Sequence, residues 1–346
     1  MIMRLAFVAL VSMFLLPPQS APKPPARFPA AVERYLGNAH LTAEDRKQLL
    51  AGMPVARALP ADASKELAVF GALWIRGSID RYVQRLTDIE QFERGGRFKL
   101  TRKISSPPAL SDFASMRLSD EDVRDLRYCE VGDCEVKLSE HALNRLKSEI
   151  DWKPASSRAA VDAFMRQFAF DFVTAYAKGG DQALPVYRDR GRPISSAVEF
   201  RDMVNGMPEL ALYGPDLRRY LFDFPSATLP NATSFLYWQD TEFGLKPIIR
   251  ISHLTIRQGP TETTVASRML YATHYFWTAL DLRALVPDPA RGQGFWLLTT
   301  SRSRTDGLSG LTGLFIRRRV RSEVIDGTIK VLQSTQEKMD QPEKPR

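Results

Sequence analysis

Cysteine and histidine are scarce in this 346-residue chain, which has two of the first and four of the second. No Cys-x-x-Cys-His run is present, so covalent haem attachment is excluded. No cysteine follows the apolar N-terminal run, so a lipid anchor there is excluded too. Cofactor fingerprints, metal-ligand spacings and nucleophile motifs are also missing, so the expectation is no cofactor and no metal site. After residue 20 no stretch is apolar enough to cross a bilayer, which takes roughly 20 residues. Excess charge of one sign is small: 48 basic against 40 acidic residues give a net +8, spread along the chain. In an exported protein that balance argues against nucleic acid as a partner. It suits an anionic membrane surface better.

What is present begins with an address. Arg4, an apolar run at 5–16 and then Pro17-Pro18-Gln19-Ser20-Ala21 fit a cleavable export signal over residues 1–20 and a periplasmic location. About 325 residues follow, enough for a real core. Residues 21–60 read as a proline-rich tether and short N-terminal helices, 61–339 as a single α+β domain, and 340–346 as a disordered tail. The two cysteines, Cys129 and Cys134, flank a Gly-Asp turn. In an oxidising compartment they are expected to close a small disulfide loop. Four intervening residues set the pair apart from the two of a redox-active motif.

Along the chain, helices are expected at 30–36, from a Thr42 N-cap, around Ile79, Val83, Leu86 and Ile89, and from N-caps at Ser119 and Ser139. Shorter ones are expected at 196–204 and 215–221. The clearest is 158–178, where Val161, Phe164, Phe168, Phe172 and Tyr176 recur at three- and four-residue steps. With the Ser139 helix it forms a helical excursion over about 139–180. Residues 67–75 read as a buried strand and 98–104 as a half-exposed one. Three long runs at 248–257, 263–286 and 295–304, with turn residues between them, read as an antiparallel meander. The second run would extend roughly 70 to 80 Å as one strand. It must bend, bulge or split, with 277–281 the expected place. A long last helix is expected over 308–338.

Two histidines lie on this meander, His253 and His274, both on apolar parities. Each reads first as a hydrogen-bonded structural residue. The catalytic alternative makes His274 or His253 a general base, oriented by Asp240, Glu242 or Asp306. Metal binding by the pair lacks a third ligand. Arg302 and Arg304 share a parity with Trp296, so two guanidinium groups point to one side and are placed to clamp an anionic head. Tyr271, Tyr275 and Trp296 complete the candidate ligand-binding set. The Arg317–Arg321 cluster reads as a solvated helix face, or as a dock for anionic lipid or an acidic partner.

Two resemblances follow from these parts. The order strand, helix, strands, helical excursion, long antiparallel strands and final helix is similar to the START-related helix-grip superfamily. That likeness implies a curved antiparallel sheet packed against the C-terminal helix over an apolar cavity. The blocks Cys129-Glu130-Val131-Gly132-Asp133-Cys134-Glu135-Val136-Lys137-Leu138, Tyr271-Ala272-Thr273-His274-Tyr275-Phe276 and Ser301-Arg302-Ser303-Arg304-Thr305-Asp306-Gly307 resemble an uncharacterised family of exported bacterial proteins. The resulting expectation is an exported, non-enzymatic protein that binds an apolar or lipid-like ligand between sheet and C-terminal helix. A periplasmic hydrolase and an envelope scaffold docking through Arg317–Arg321 are the alternatives.

Overall fold

The long run at 263–286 is two strands. They are β8 (Thr263–Ala272) and β9 (Phe276–Pro287), and the chain reverses between them at 273–275 rather than at the expected 277–281. Tyr275 takes the left-handed conformation there, at φ 62°. A non-glycine residue pays a steric cost at that φ. Its hydroxyl accepts the Lys246 backbone N–H at 2.8 Å, and its carbonyl accepts the Thr305 hydroxyl at 2.7 Å, which pins the turn.

The computed structural model describes residues 27–153, 156–189, 192–243, 246–305, 308 and 313–342. The export signal, most of the tether, Asp306 and the last residues of the tail lie outside them. The fold is α+β, built on an antiparallel eight-stranded sheet. Besides β8 and β9 the sheet holds β1 (Val55–Ala58), β2 (Glu66–Arg76), β3 (Phe98–Lys103), β6 (Ala232–Phe243), β7 (Lys246–Gln258) and β10 (Gly294–Thr305). Their order is β1-β2-β10-β9-β8-β7-β6-β3. The expected three-run meander is thus four strands, β7 to β10, which β6 extends to five, flanked by β2 on one side and β3 on the other. A small separate hairpin joins β4 (Val186–Asp189) to β5 (Arg192–Ser195). In β8 the register slips, so that Ser252 faces Met269 and Ile251 faces Tyr271. The extra residue is Leu270, and the bulge turns Leu270 and Tyr271 into one core.

Helices cover both faces. One face packs against α1 (Ala30–Asn38), α2 (Ala43–Leu50), α8 (Ser196–Asn205), α9 (Pro215–Asp223) and the 3-10 turn Pro208–Tyr213. It also packs against α5 (Asp120–Tyr128), α6 (Glu140–Glu149) and α7 (Ser157–Gly179). Helical structure in mid-chain therefore extends well beyond 139–180. The other face carries α3 (Ile79–Thr87), α4 (Ile89–Phe92) and α10 (Gly313–Asp340). Asp88 breaks the single helix expected around Ile79 and Ile89 into α3 and α4.

A flat sheet of eight strands about 4.8 Å apart would separate its edges by roughly 30 Å. Here Thr328 of α10 lies on Gly71 of β2, where an added Cβ would stand 2.6 Å from the Thr328 methyl. The next residue back, Gly327, lies beside the guanidinium of Arg97, 3.1 Å from an added Cβ. Arg97 adjoins β3 at the far edge, and its carbonyl accepts the Glu242 N–H of β6 at 2.8 Å. An arginine side chain cannot bridge two edges of a flat sheet, so the sheet curls around α10. That side is called the concave face below.

Candidate functional site

The residues that the sequence singles out lie mainly on the convex face. Arg302 and Arg304 point there, with Trp296, and both are buried. Arg302 pairs with Glu66 at 2.5 Å and Glu209 at 2.6 Å. Arg304 pairs with Glu66 at 3.2 Å and Glu199 at 2.7 Å. Three buried or part-buried carboxylates thus surround two guanidinium groups and use up their charge. Trp296 is fully buried and donates to Asp288 at 3.1 Å. Tyr271 packs on Phe168 and Phe172 of α7, and burial raises its hydroxyl pKa well above the usual value. Tyr275 is the turn residue above. None of the five projects into the space beneath α10.

The two histidines are also tied into structure. His274 meets the Glu135 carbonyl at 2.9 Å through Nδ1 and the Asp122 carboxylate at 2.9 Å through Nε2. Both ring nitrogens are thus taken up by partners inside the fold, and neither is free to meet a substrate. The carboxylate that meets His274 is Asp122, 152 residues away, rather than Asp240 or Glu242, and Asp306 lies outside the described residues. The clamp ties the turn after β8 to α5 and to the segment after the disulfide that joins Cys129 and Cys134. His253 lies between Tyr176 at 3.1 Å and Tyr220 at 3.5 Å. Tyr220 donates onward to Ser234 at 3.2 Å, so Nε2 carries the proton and Nδ1 accepts from Tyr176. Burial, with the nearby Arg268 charge, pulls the imidazole pKa down to about 3.

An open cleft of about 790 Å³ lies over this region, lined by Lys178, Asp181, Arg201, Arg219, Phe222 and Phe224 among others. Asp181 is held between Arg268 at 2.7 Å and Arg201 at 3.4 Å. The Phe224 ring, 4.5 Å from the His253 ring, takes part in lining the cleft, whereas His253 does not.

The concave face differs. Along β9 and β10 accessibility alternates: Leu280, Leu282, Thr300, Arg302 and Arg304 are buried, while Ala279, Asp281, Arg283, Thr299, Ser301 and Ser303 stay partly open to solvent. These are central strands with a neighbour on each side, so water reaches the middle of the sheet. Register places Asp281 between Ser267 and Ser301, and Ala279 between Met269 and Ser303. The Ser301 hydroxyl donates to the Asp281 carboxylate. Tyr237 and Ser267 share a hydrogen bond of 3.0 Å, and burial pushes the Tyr237 pKa up to about 12.

Around this small-residue floor Arg283, Arg250, Glu93 and Asp281 are paired, and Arg97 is not. Arg283 donates to Tyr82 at 2.8 Å and faces Glu93 at 3.6 Å. Burial alone would lower its pKa, but Tyr82 and Glu93 outweigh it and hold the guanidinium above its ordinary value. Gln239 donates to Glu93 at 2.5 Å and accepts from Arg250 at 2.6 Å. For the Arg97 guanidinium no hydrogen-bond or ion-pair partner is found among the described residues. The roof is α10, whose Val320, Val324, Ile325 and Thr328 are half-buried, whereas Leu332, Thr335 and Met339 farther along are fully packed.

Sequence reasoning missed Arg97, Asp281 and Ser301. The one available signal was the run of small or polar residues at a single parity, Ala279 and Asp281 in one strand and Thr299, Ser301 and Ser303 in the next. Arg319, from the basic cluster of α10, is exposed and paired with Glu323 at 2.8 Å, and Arg321 is exposed. The side chains of Arg317 and Arg318 lie outside the described residues. Among the described residues no helix is long and apolar enough to cross a membrane. In comparisons with known proteins, no family model matches the chain and no curated protein matches it.

Proposed function

We propose that this chain is an exported binding protein that holds an amphipathic molecule between the concave face of its sheet and the N-terminal half of α10. The observation that carries this reading is the alternation in β9 and β10: the even-numbered side chains over 278–286 and 296–304 are buried, whereas Ala279, Asp281, Thr299, Ser301 and Ser303 leave a small, mostly polar and partly open floor. Core strands ordinarily fill such space with large apolar side chains, because unfilled volume costs stability. The apolar stripe of α10 above a floor of Thr299, Ser301 and Ser303, with the buried Ser252 and Ser267 on neighbouring strands, gives the ligand one apolar wall and one polar wall. Export is supported by the apolar run at 5–16 and by the Cys129–Cys134 disulfide, which persists in an oxidising compartment. This reading keeps the expected lipid-like ligand and its place, and moves the contacts of its polar head away from Arg302 and Arg304, which are paired within the fold.

The test is organic extraction of the full chain purified from its exported fraction, followed by mass spectrometry. A co-purifying amphiphile is expected. Ala279→Phe, which fills the floor, is expected to lose it while the protein stays folded. An empty extract, together with no binding to a panel of amphiphiles, would sink the reading.

A further inference from the structure

We infer that the polar end of the ligand is an anion, a carboxylate or a phosphate ester, and that Arg97 is its counter-charge. This rests on the proposed sheet–α10 site and names the chemistry that it selects. Among the charged groups of the concave face, Glu93, Arg250, Arg283 and Asp281 already have polar partners within the fold. Among the described residues Arg97 has no hydrogen-bond or ion-pair partner; at longer range Arg250 repels it and Asp281 attracts it. Burial within the concavity and the Arg250 charge lower its pKa from the ordinary arginine value, although the side chain stays open to water. An arginine remains charged in any such setting, so an anion entering from outside the fold would meet a guanidinium with no direct partner among the described residues.

The backbone prepares this arrangement. Gly95 and Gly96 both take positive φ, at 81° and 61°, and Gly95 exchanges two 3.2 Å hydrogen bonds with Phe98. That tight turn and the Glu242 N–H bond to the Arg97 carbonyl fix where the side chain starts. Its end lies beside Gly327, where any larger residue would press on the guanidinium. The convex-face arginines offer the contrast. Arg302 and Arg304 sit among Glu66, Glu199 and Glu209 and have no charge to spare.

The experiment measures binding to the full chain by calorimetry, with four probes: decanoate, decyl phosphate, decanol and inorganic phosphate. In the unaltered protein one or both amphipathic anions are expected to bind roughly 10- to 100-fold more tightly than decanol, the range of a charge-assisted hydrogen bond. The preferred anion identifies carboxylate or phosphate. Arg97→Gln is expected to bring the anions to the decanol level, leave decanol unmoved and keep the melting temperature. Arg97→Lys should restore part of the difference. If decanol binds as tightly as both anions, the inference is overturned and the site stands. Equal weakening of all probes by Arg97→Gln makes Arg97 a shape residue and also overturns it. Inorganic phosphate binding as tightly as decyl phosphate would keep the anion and remove the apolar wall from the reading. No binding by any probe overturns both. Should Arg97→Gln fail to fold, the decanol comparison in the unaltered protein still decides.

Discussion

The two faces of the central strands use the same residue types for opposite ends. On the convex face Arg302 and Arg304 are buried in an excess of carboxylate, and Arg268 is buried against Asp181, the Leu221 carbonyl and the Phe200 ring. On the concave face Arg97 reaches an open space with no partner for its charge among the described residues. Burial turns a guanidinium into a structural tie, because a desolvated charge is tolerable only when paired. Leaving one half-solvated and unpaired makes it available to something outside the chain. The arginines most conspicuous in the sequence are therefore the ones already committed to the fold.

The comparison breaks most visibly at Arg302. Arg302→Ala leaves Glu66 and Glu209 short of a buried counter-charge and is expected to cost about 3–5 kcal/mol in urea unfolding. A loss near zero would mean that the convex-face network does not hold β10 to β2 and the 3-10 turn. Gly71→Ala acts on the concave side. Its Cβ would stand 2.6 Å from Thr328 and 2.8 Å from the Thr299 hydroxyl, so α10 must lift from β2, at about 1–3 kcal/mol. The same variant should loosen ligand retention, whereas Arg302→Ala, assayed where it is still folded, should not.

A third effect depends on pH. His253 is neutral in the fold, with its pKa pulled down to about 3 by burial, and returns to near 6.5 in the unfolded chain. Between those values unfolding takes up a proton, so stability falls as the pH drops through that window and is unaffected by this group above it. From pH 7 to pH 5 the loss is about 2 kcal/mol. His253→Gln should flatten that part of the profile, measured as melting temperature against pH. The smallest effect belongs to Arg97→Gln, within about 0.5 kcal/mol of the unaltered protein, as befits an unpaired accessible side chain.

Local structure was readable where local rules act alone. Thr42, Ser119 and Ser139 each accept the N–H three residues on, at 3.2, 3.0 and 3.2 Å, as N-caps should. The aromatic stripe of α7 buries Val161, Phe164, Phe172 and Tyr176 in the core, and 67–75 falls inside β2. Two strands of the main sheet were not anticipated, nor was the β4–β5 hairpin. β1 is only four residues long, and β6 follows a stretch with weak local signals. The break in the long run was expected, but its place was set by hydrogen bonds from Lys246 and Thr305, residues distant in sequence.

By itself the sequence determined the two alternating parities of β9 and β10, the helix starts, the disulfide pair and the presence of a long C-terminal helix. These follow from periodicity, capping chemistry and a single possible cysteine partner. Only the tertiary structure decided which parity faces solvent, because parity separates two faces without saying what covers each. It also decided which arginines are neutralised and brought Arg97, at one edge of the sheet, to α10 on the other. That last juxtaposition depends on the curl of all eight strands, a property that no single segment of the chain carries.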